Sequence, residues 1–409
     1  MMKIPVLCII IIFLSGCVWD TGASHDSALP LDDSEYPYAN VQRIVIETDD
    51  FDDIRDTETD IPARIQVYDK TAPVSAVLNG SVRGRGNASF KGMPKYSLKL
   101  TFDEKYPLLD MPEDSEWDLV SNSSDKTMMR NYIAFALSSS LRTLYTPRAR
   151  YAEVYLNRRY LGAYLVIEHI KVNGNRLNLP KNEGAYLLEK TTRPKSGETY
   201  VTSSWNHIFK IKYPKDPSKS KQDSLRIKMD LFENYLKRGE FDDIEERMDL
   251  EDFFSFYWIQ ELSKNFDAPF IRSIFIYGYM DQPLHMGPVW DFDAAFGNWD
   301  KDYLRATSGW YVRGGDWFKQ LLSNPRLLQE ANKYWIKNKT NFAAIIDTID
   351  AVARRLDLVS KNEFKRWPVL SNTENEIYVE KYGSHAEAVD SLKAWILRRI
   401  EWIDGRVVK

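Results

Sequence analysis

The chain has 409 residues, is 44% hydrophobic, is rich in Trp, Tyr and Phe, and carries a formal net charge of -4. A chain of this length can bury a large core without covalent staples, and its near-neutral, slightly acidic balance lacks the global basic field that nucleic-acid binding needs, so DNA and RNA are excluded as partners. Its two cysteines, Cys8 and Cys17, both lie at the N-terminal end, which leaves the body of the chain without thiol nucleophiles, zinc-binding cysteines or disulfides.

Residues 1–16 combine one positive charge at Lys3, an apolar run from Ile4 to Leu14 and the small pair Ser15-Gly16 before Cys17. The run is too short for a membrane-crossing helix, which needs about 20 residues, and reads as an export signal. Leu14-Ser15-Gly16-Cys17 resembles the bacterial lipoprotein motif, which implies acylation of Cys17 after cleavage. The expected location is the bacterial cell envelope, with the chain lipid-anchored on the extracytoplasmic side, periplasmic or surface-exposed, and the membrane engaged through acyl chains. Residues 17–40 are polar and acidic without hydrophobic period and are expected to form a tether.

Folded structure is expected from Val41. Alternating runs at 43–46, 63–68 and 96–100 predict strands, a helical period covers 127–144, and strands at 152–156 and 162–167 flank the turn Asn157-Arg158-Arg159. A lysine-rich, proline-broken stretch at 214–221 predicts a loop. Apolar residues at three- and four-residue spacing then predict helices over 250–264, 324–338, 341–358 and 386–403, with a strand at 273–279. The fold class is α+β: a sheet-rich half over 41–215 and a mainly helical half over 216–409. Two lobes would enclose a cleft near their junction, where ligands often bind.

The strongest chemical signal is Val289-Trp290-Asp291-Phe292-Asp293-Ala294-Ala295-Phe296-Gly297, two carboxylates inside an apolar run. On an extended segment, Asp291 and Asp293 share a face and can approach a hard cation such as Mg²⁺; the bland alternative is a capped turn or arginine pairing. Asn265 and Asp267 stand where the chain leaves a helix, and the strand that follows permits a return to the same cleft. Arg83-Gly84-Arg85-Gly86-Asn87 places two arginines on one strand face, a design suited to phosphate oxygens, followed by Lys95 and Lys99. His169, His207, His285 and His385 occupy no metal or triad spacing and read as structural.

These motifs resemble the CotH family of spore-coat kinases and their relatives. The resemblance runs from about Val41 to the C-terminus. It is carried by Arg83 to Asn87 with Lys95 to Leu100, Ser124-Asp125-Lys126 leading to Arg130-Asn131, and Tyr155-Leu156-Asn157 through Gly162-Ala163-Tyr164 to Glu168. Tyr186-Leu187-Leu188-Glu189, Asn265-Phe266-Asp267 and Trp290 to Asp293 complete it. It implies an atypical protein-kinase-like two-lobed fold and ATP-dependent phosphoryl transfer to Ser or Thr of an envelope or surface protein. By the same resemblance, Asp267 looks like the catalytic-loop aspartate and Asp291 like the metal-binding aspartate, with Asp293 a second ligand. Arg83, Arg85 and Lys95 or Lys99 would face the phosphates of ATP, and Glu168 would orient a lysine or sit near the nucleotide. The chain departs from protein kinases in lacking their glycine-rich loop and histidine-arginine-aspartate sequence, and its metal motif reads Asp-Phe-Asp. Two other readings of the same residues are a surface lipoprotein binding a glycan, peptide or partner protein, and a nucleotide-sugar glycosyl transferase.

Overall fold

The structure is a computed structural model and describes residues 28–86, 90, 93–141, 145–180, 184–372 and 380–407. Cys17, with the signal around it, and Asn87 lie outside the described residues.

The first half is built from β1 (Arg43–Thr48), β2 (Ile61–Asp69), β3 (Ala72–Pro73), β4 (Leu78–Arg85), β5 (Ser97–Tyr106) and β6 (Asp114–Val120). Helix α1 (Arg130–Ser140), β7 (Ala149–Leu156) and β8 (Arg159–Glu168) follow. The hydrogen-bonded order is β1-β7-β8-β6-β5-β4-β2-β3, and β1 also pairs with β2, so the sheet closes on itself into a barrel-like body. Closure removes the exposed edges that an open sheet would leave. Inward residues alternate along every strand: Ile44 and Ile46, Ile65 and Val67, Leu98 and Leu100, Trp117 and Leu119, Val154 and Leu156 form one buried cluster inside the barrel. The opposite parity points outward, which places Arg83 and Arg85 of β4 and Lys99 of β5 on the outer face.

A second, antiparallel sheet follows, made of β9 (Ala185–Thr191), β10 (Tyr200–Thr202), β11 (Ile208–Tyr213), β12 (Ile274–Tyr279) and β13 (His285–Met286), in the order β10-β11-β9-β12-β13. The helices are α2 (Lys219–Arg238), α3 (Leu250–Ser263), α4 (Asp302–Arg305), α5 (Asp316–Ser323), α6 (Pro325–Ala343), α7 (Ile345–Arg355), α8 (Asp357–Arg366) and α9 (His385–Val407). Helix α3 is apolar on nearly every face and runs through the largest core cluster, as such a helix must. The Asp249 side chain caps its N-terminus, and Lys264 ends it in a left-handed conformation. Among the described residues no helix is long and apolar enough to cross a membrane.

Four expectations need correction. Residues 28–40, read as the last part of a tether, are packed on the barrel: Leu29 and Ala39 are buried, Tyr36 stacks on Tyr160 with ring centroids 4.2 Å apart, and the buried Arg43 draws in Asp33 at 2.8 Å. Polar composition hid the anchoring aromatic and carboxylate side chains. The division at 215/216 cuts through the second sheet, because β12 and β13 come from the helical half and complete the sheet begun by β9 to β11. The loop expected at 214–221 gives way at Lys219 to α2, whose Ser218 cap accepts from the Lys221 amide. The helix expected over 341–358 is broken, with α6 ending at Ala343, α7 ending at Arg355 and α8 beginning at Asp357, so that each short helix turns its own apolar stripe to the core.

Candidate active site

Lys264 turns the chain out of α3, and its Nζ is held by the carbonyls of Tyr303 and Ala306 at 2.7 and 2.9 Å. The loop that follows is stitched to the Asp291–Phe296 loop by main-chain hydrogen bonds, Phe266 N to Ala294 O at 3.0 Å and Phe296 N to Ser263 O at 2.6 Å. The Asn265 Nδ2 adds a bond to Asp291 O at 3.1 Å. Asp267 and Asp291 are thereby brought to one place. The segment is not extended as the sequence suggested: Asp291 has φ of +64° and Asp293 lies in a turn, so the two carboxylates meet through loop geometry and not through strand parity. Gly297 closes the turn at φ +79°, where a Cβ would stand 2.7 Å from the Trp395 ring.

Three carboxylates share this region, with Asp291 acting on both others, although their oxygens do not all come within 4.8 Å of one another as the ligand atoms of Asp249, Asp252 and His285 do. Asp267 is 6% exposed; its Oδ2 accepts from Arg272 Nε at 2.9 Å, while its Oδ1 is buried without a hydrogen-bond partner among the described residues. Burial, with the negative charge of Asp291 beside it, pushes the Asp267 carboxyl up to about 7 against the pull of Arg272. Asp293 is partly exposed at the loop surface yet closely surrounded by protein; burial, then the charges of Asp291 and Asp125, raise it to about 7 as well. Asp291 accepts from Ser273 Oγ at 3.2 Å and lies close enough to act on both neighbours. Asp291 repels Asp267 on one side and Asp293 on the other, and a divalent cation held by Asp291 and Asp293, which suits its preference for oxygen ligands, would offset that repulsion.

The loop is supported from behind by the start of α1. Asp125 binds the Arg130 guanidinium and accepts from the Arg130 amide at 2.8 Å, while Arg130 Nε reaches Ala295 O at 3.1 Å. Asn131 donates to Asp293 Oδ1 and accepts from the Phe292 amide at 2.8 Å. Asn298 bridges Ser124 O and Asp293 O at 3.1 and 2.8 Å.

Facing the carboxylates is the outer face of the barrel. The register of β4, β5 and β6 sets Arg83, Lys99 and Asp118 side by side, with Arg85 one pair further along. Arg85 lies between the two groups: its Nε is 2.8 Å from Asp118 Oδ1, its guanidinium carbon 5.0 Å from the Trp290 ring centroid, and its charge is felt at Asp293. Lys99 pairs with Glu116, and Lys212 of β11 adds a half-buried ammonium, 4.0 Å from Glu189, whose pKa desolvation lowers. Asp118 also binds His169 Nδ1 at 2.9 Å, and despite its burial Arg85 and His169 hold its carboxyl well below the usual range. Burial moves His169 the other way, down to about 4.

The structure thus gathers Asp267, Asp291, Asp293 and Arg85, with Lys99 one ion pair away. The other three residues singled out in the sequence are engaged elsewhere. Arg83 turns to Thr57 O and to Asp60 at 3.3 Å. Lys95 precedes β5, is buried, and places its Nζ 2.6 Å from Ala163 O and 2.7 Å from Glu363 of α8; Gly162, at φ +111°, makes room for that carboxylate. Glu168 is fully buried between Arg176, at 2.9 Å, and Arg148, and among the described residues it pairs with no lysine. Sequence reasoning missed Asp118, Lys212, Arg272 and the contacts of Asn131. Asp118 follows the outward parity of β6 and could have been found by it; the others meet the site only through tertiary packing. The histidines have protein partners: His207 binds Glu233, and His385 binds Thr127 O. His285 stacks on Tyr277 and binds Asp252 at 2.8 Å, with Asp249 at 3.8 Å, a grouping the spacing did not reveal.

A closed barrel whose outer basic side chains approach the aspartate-bearing loops, with a helical body behind it, defines a mixed α/β protein. A profile of the family described as CotH kinase protein matches residues 82–403, and the chain belongs to that family. The match begins within β4 and ends within α9, so it takes in both halves of the site. No curated protein matches the chain.

Proposed function

We propose that the protein is a membrane-anchored CotH kinase that transfers the γ-phosphate of ATP, with Mg²⁺, to a Ser or Thr hydroxyl of an envelope or surface protein. The observation that carries this reading is the proximity of Asp291 to both Asp267 and Asp293, with the charge of Arg85 felt at Asp293. In it the barrel and the helical half act as the two lobes of an atypical kinase-like fold, and the lipid on Cys17 holds the domain outside the cytoplasm.

Asp291 and Asp293 would hold the Mg²⁺, which when bound neutralises charge on the triphosphate. Asp267, with a pKa of about 7, takes the proton of the attacking hydroxyl as its oxygen bonds to the γ-phosphorus and the bond to the ADP oxygen breaks. Arg272 fixes the orientation of that carboxylate. Arg85 steadies the phosphates, and of the two lysines the contacts support Lys99, since Lys95 is committed to Glu363. Burial around the loop strengthens each of these electrostatic contacts.

The test uses the chain downstream of Cys17, including residues 28–40, incubated with labelled ATP and Mg²⁺ alongside Asp267→Ala and Asp291→Ala. Label is expected on the unaltered protein or on an envelope extract and not with either variant. Equal label in all three samples sinks the mechanism.

A further inference from the structure

We infer that Asn131 is a positioning residue for the acidic loop, one that sets which oxygen of Asp293 is offered to a cation; this rests on the reading of Asp291 and Asp293 as cation ligands. Asn131 is the second residue of α1 and is 4% exposed. Its carboxamide uses both ends on the same loop: Nδ2 donates to Asp293 Oδ1, and Oδ1 accepts from the Phe292 amide at 2.8 Å. A carboxamide so held cannot rotate without breaking both bonds. Among the described residues no hydrogen bond reaches the other carboxylate oxygen of Asp293.

The anchorage of Asn131 is itself rigid. Phe292 is fully buried, so the amide that orients the carboxamide is fixed by core packing. On the other side, Arg130 ties the first turn of α1 to Asp125 and to Ala295 O, the far end of the same loop. Asn131 therefore works as a clamp between a helix and a loop. Groups that hydrogen-bond a metal-ligating carboxylate typically support metal affinity by 10–100-fold.

Manganese provides a probe whose binding is read without any turnover, because the electron paramagnetic resonance signal of the aqueous ion falls as it binds. The chain downstream of Cys17 is titrated with Mn²⁺ at pH 8, next to Asn131→Ala and to Asn298→Ala, which removes bonds to the main-chain carbonyls of Ser124 and Asp293 and none to a carboxylate oxygen. The unaltered protein is expected to bind, Asn131→Ala to bind at least tenfold more weakly with an unchanged near-ultraviolet circular dichroism spectrum, and Asn298→Ala to stay within about threefold of the unaltered protein. Unaltered affinity in Asn131→Ala overturns the inference while leaving the cation reading intact. No Mn²⁺ binding by the unaltered protein instead overturns that reading and this inference with it. Should Asn131→Ala not fold, the exchange of Asn131→Asp with Asp293→Asn keeps one carboxylate and one carboxamide facing each other. It is expected to fold and to bind Mn²⁺ at least tenfold more weakly, and affinity equal to that of the unaltered protein overturns the assignment.

Discussion

Two sets of charged residues, one on the barrel and one in the loops beside it, obey opposite rules. Glu168 and Lys95 are both buried, yet each is matched: Glu168 by two arginines, Lys95 by Glu363. Asp267, which is buried, and Asp291 and Asp293, which are half-buried, have one arginine on Asp267 and repulsion from Asp291 on both others. A matched buried pair holds the fold together and gives little else. A mismatched, partly buried cluster lowers stability, and a fold retains it where a ligand supplies the missing charge.

The largest effect should follow from breaking a matched pair. Glu363→Ala leaves the Lys95 ammonium buried without its carboxylate and also removes the acceptor of the Ala163 amide, 2.7 Å away. Such a loss typically costs about 3–5 kcal/mol, read as a lower midpoint in urea. The double variant Lys95→Met with Glu363→Leu should recover most of it, because apolar side chains of similar volume often replace a buried ion pair without loss. If the double variant is as unstable as the single one, the pair has a role beyond neutralising itself, and Lys95 returns as a candidate for the phosphates.

Removing charge from the mismatched cluster should do the reverse. Asp291→Asn keeps a side chain that tolerates the left-handed conformation at this position and relieves both neighbours. The pH dependence follows from the sign of the shifts. Asp267 and Asp293 titrate near 7 when folded and near 4 when unfolded. Between those values the native state holds more protons, so their contribution to stability falls as pH rises from about 4 to 7 and is flat beyond. His169, lowered to about 4 from an unfolded value near 6.5, acts oppositely, its contribution rising over pH 4 to 6.5. The difference between variant and unaltered protein cancels the histidine. Asp291→Asn is expected to be more stable by about 1–2 kcal/mol above pH 7, with the gain vanishing towards pH 4. Millimolar Mg²⁺ should stabilise the unaltered protein at pH 8 and not the variant. A stability difference independent of pH would mean that the carboxylates do not repel one another.

The matched and mismatched sets differ as well in how far the sequence disclosed them. The Asp-Phe-Asp run, the Asn-Phe-Asp helix exit and the strand bearing Arg83 and Arg85 were all legible, because local periodicity and turn chemistry determine them. Closure of the barrel was not, since it depends on β1 pairing with both β2 and β7, contacts that no window of sequence contains. The partners of Lys95 and Glu168 were hidden for the same reason: Glu363 lies 268 positions from Lys95. Residues 28–40 failed differently. Their composition reads as unfolded, but Leu29, Tyr36 and Asp33 each find a prepared place on the barrel, and a few well-placed contacts outweigh an unfavourable average. Between Asp291 and Asp293 the expected extended segment is absent, and a left-handed residue at Asp291 takes the place of strand alternation.

The smallest effect separates two arginines that strand parity makes equivalent. Arg83 and Arg85 leave β4 on the same face, yet Arg83 is spent on an exposed carboxylate and a loop carbonyl, whereas Arg85 is shared between buried Asp118 and the neighbourhood of Asp293. Surface ion pairs contribute about 0–1 kcal/mol, so Arg83→Ala should shift stability by less than about 1 kcal/mol and leave ATP affinity, measured by calorimetry with Mg²⁺, within about twofold. Arg85→Ala should weaken that affinity by tenfold or more, since a guanidinium contact to phosphate is a charge-assisted hydrogen bond worth about 1.5–3 kcal/mol. Equal losses would show that Arg83 leaves Asp60 to reach the ligand, and that the strand face as a whole, not the single contact made by Arg85, recognises the phosphates.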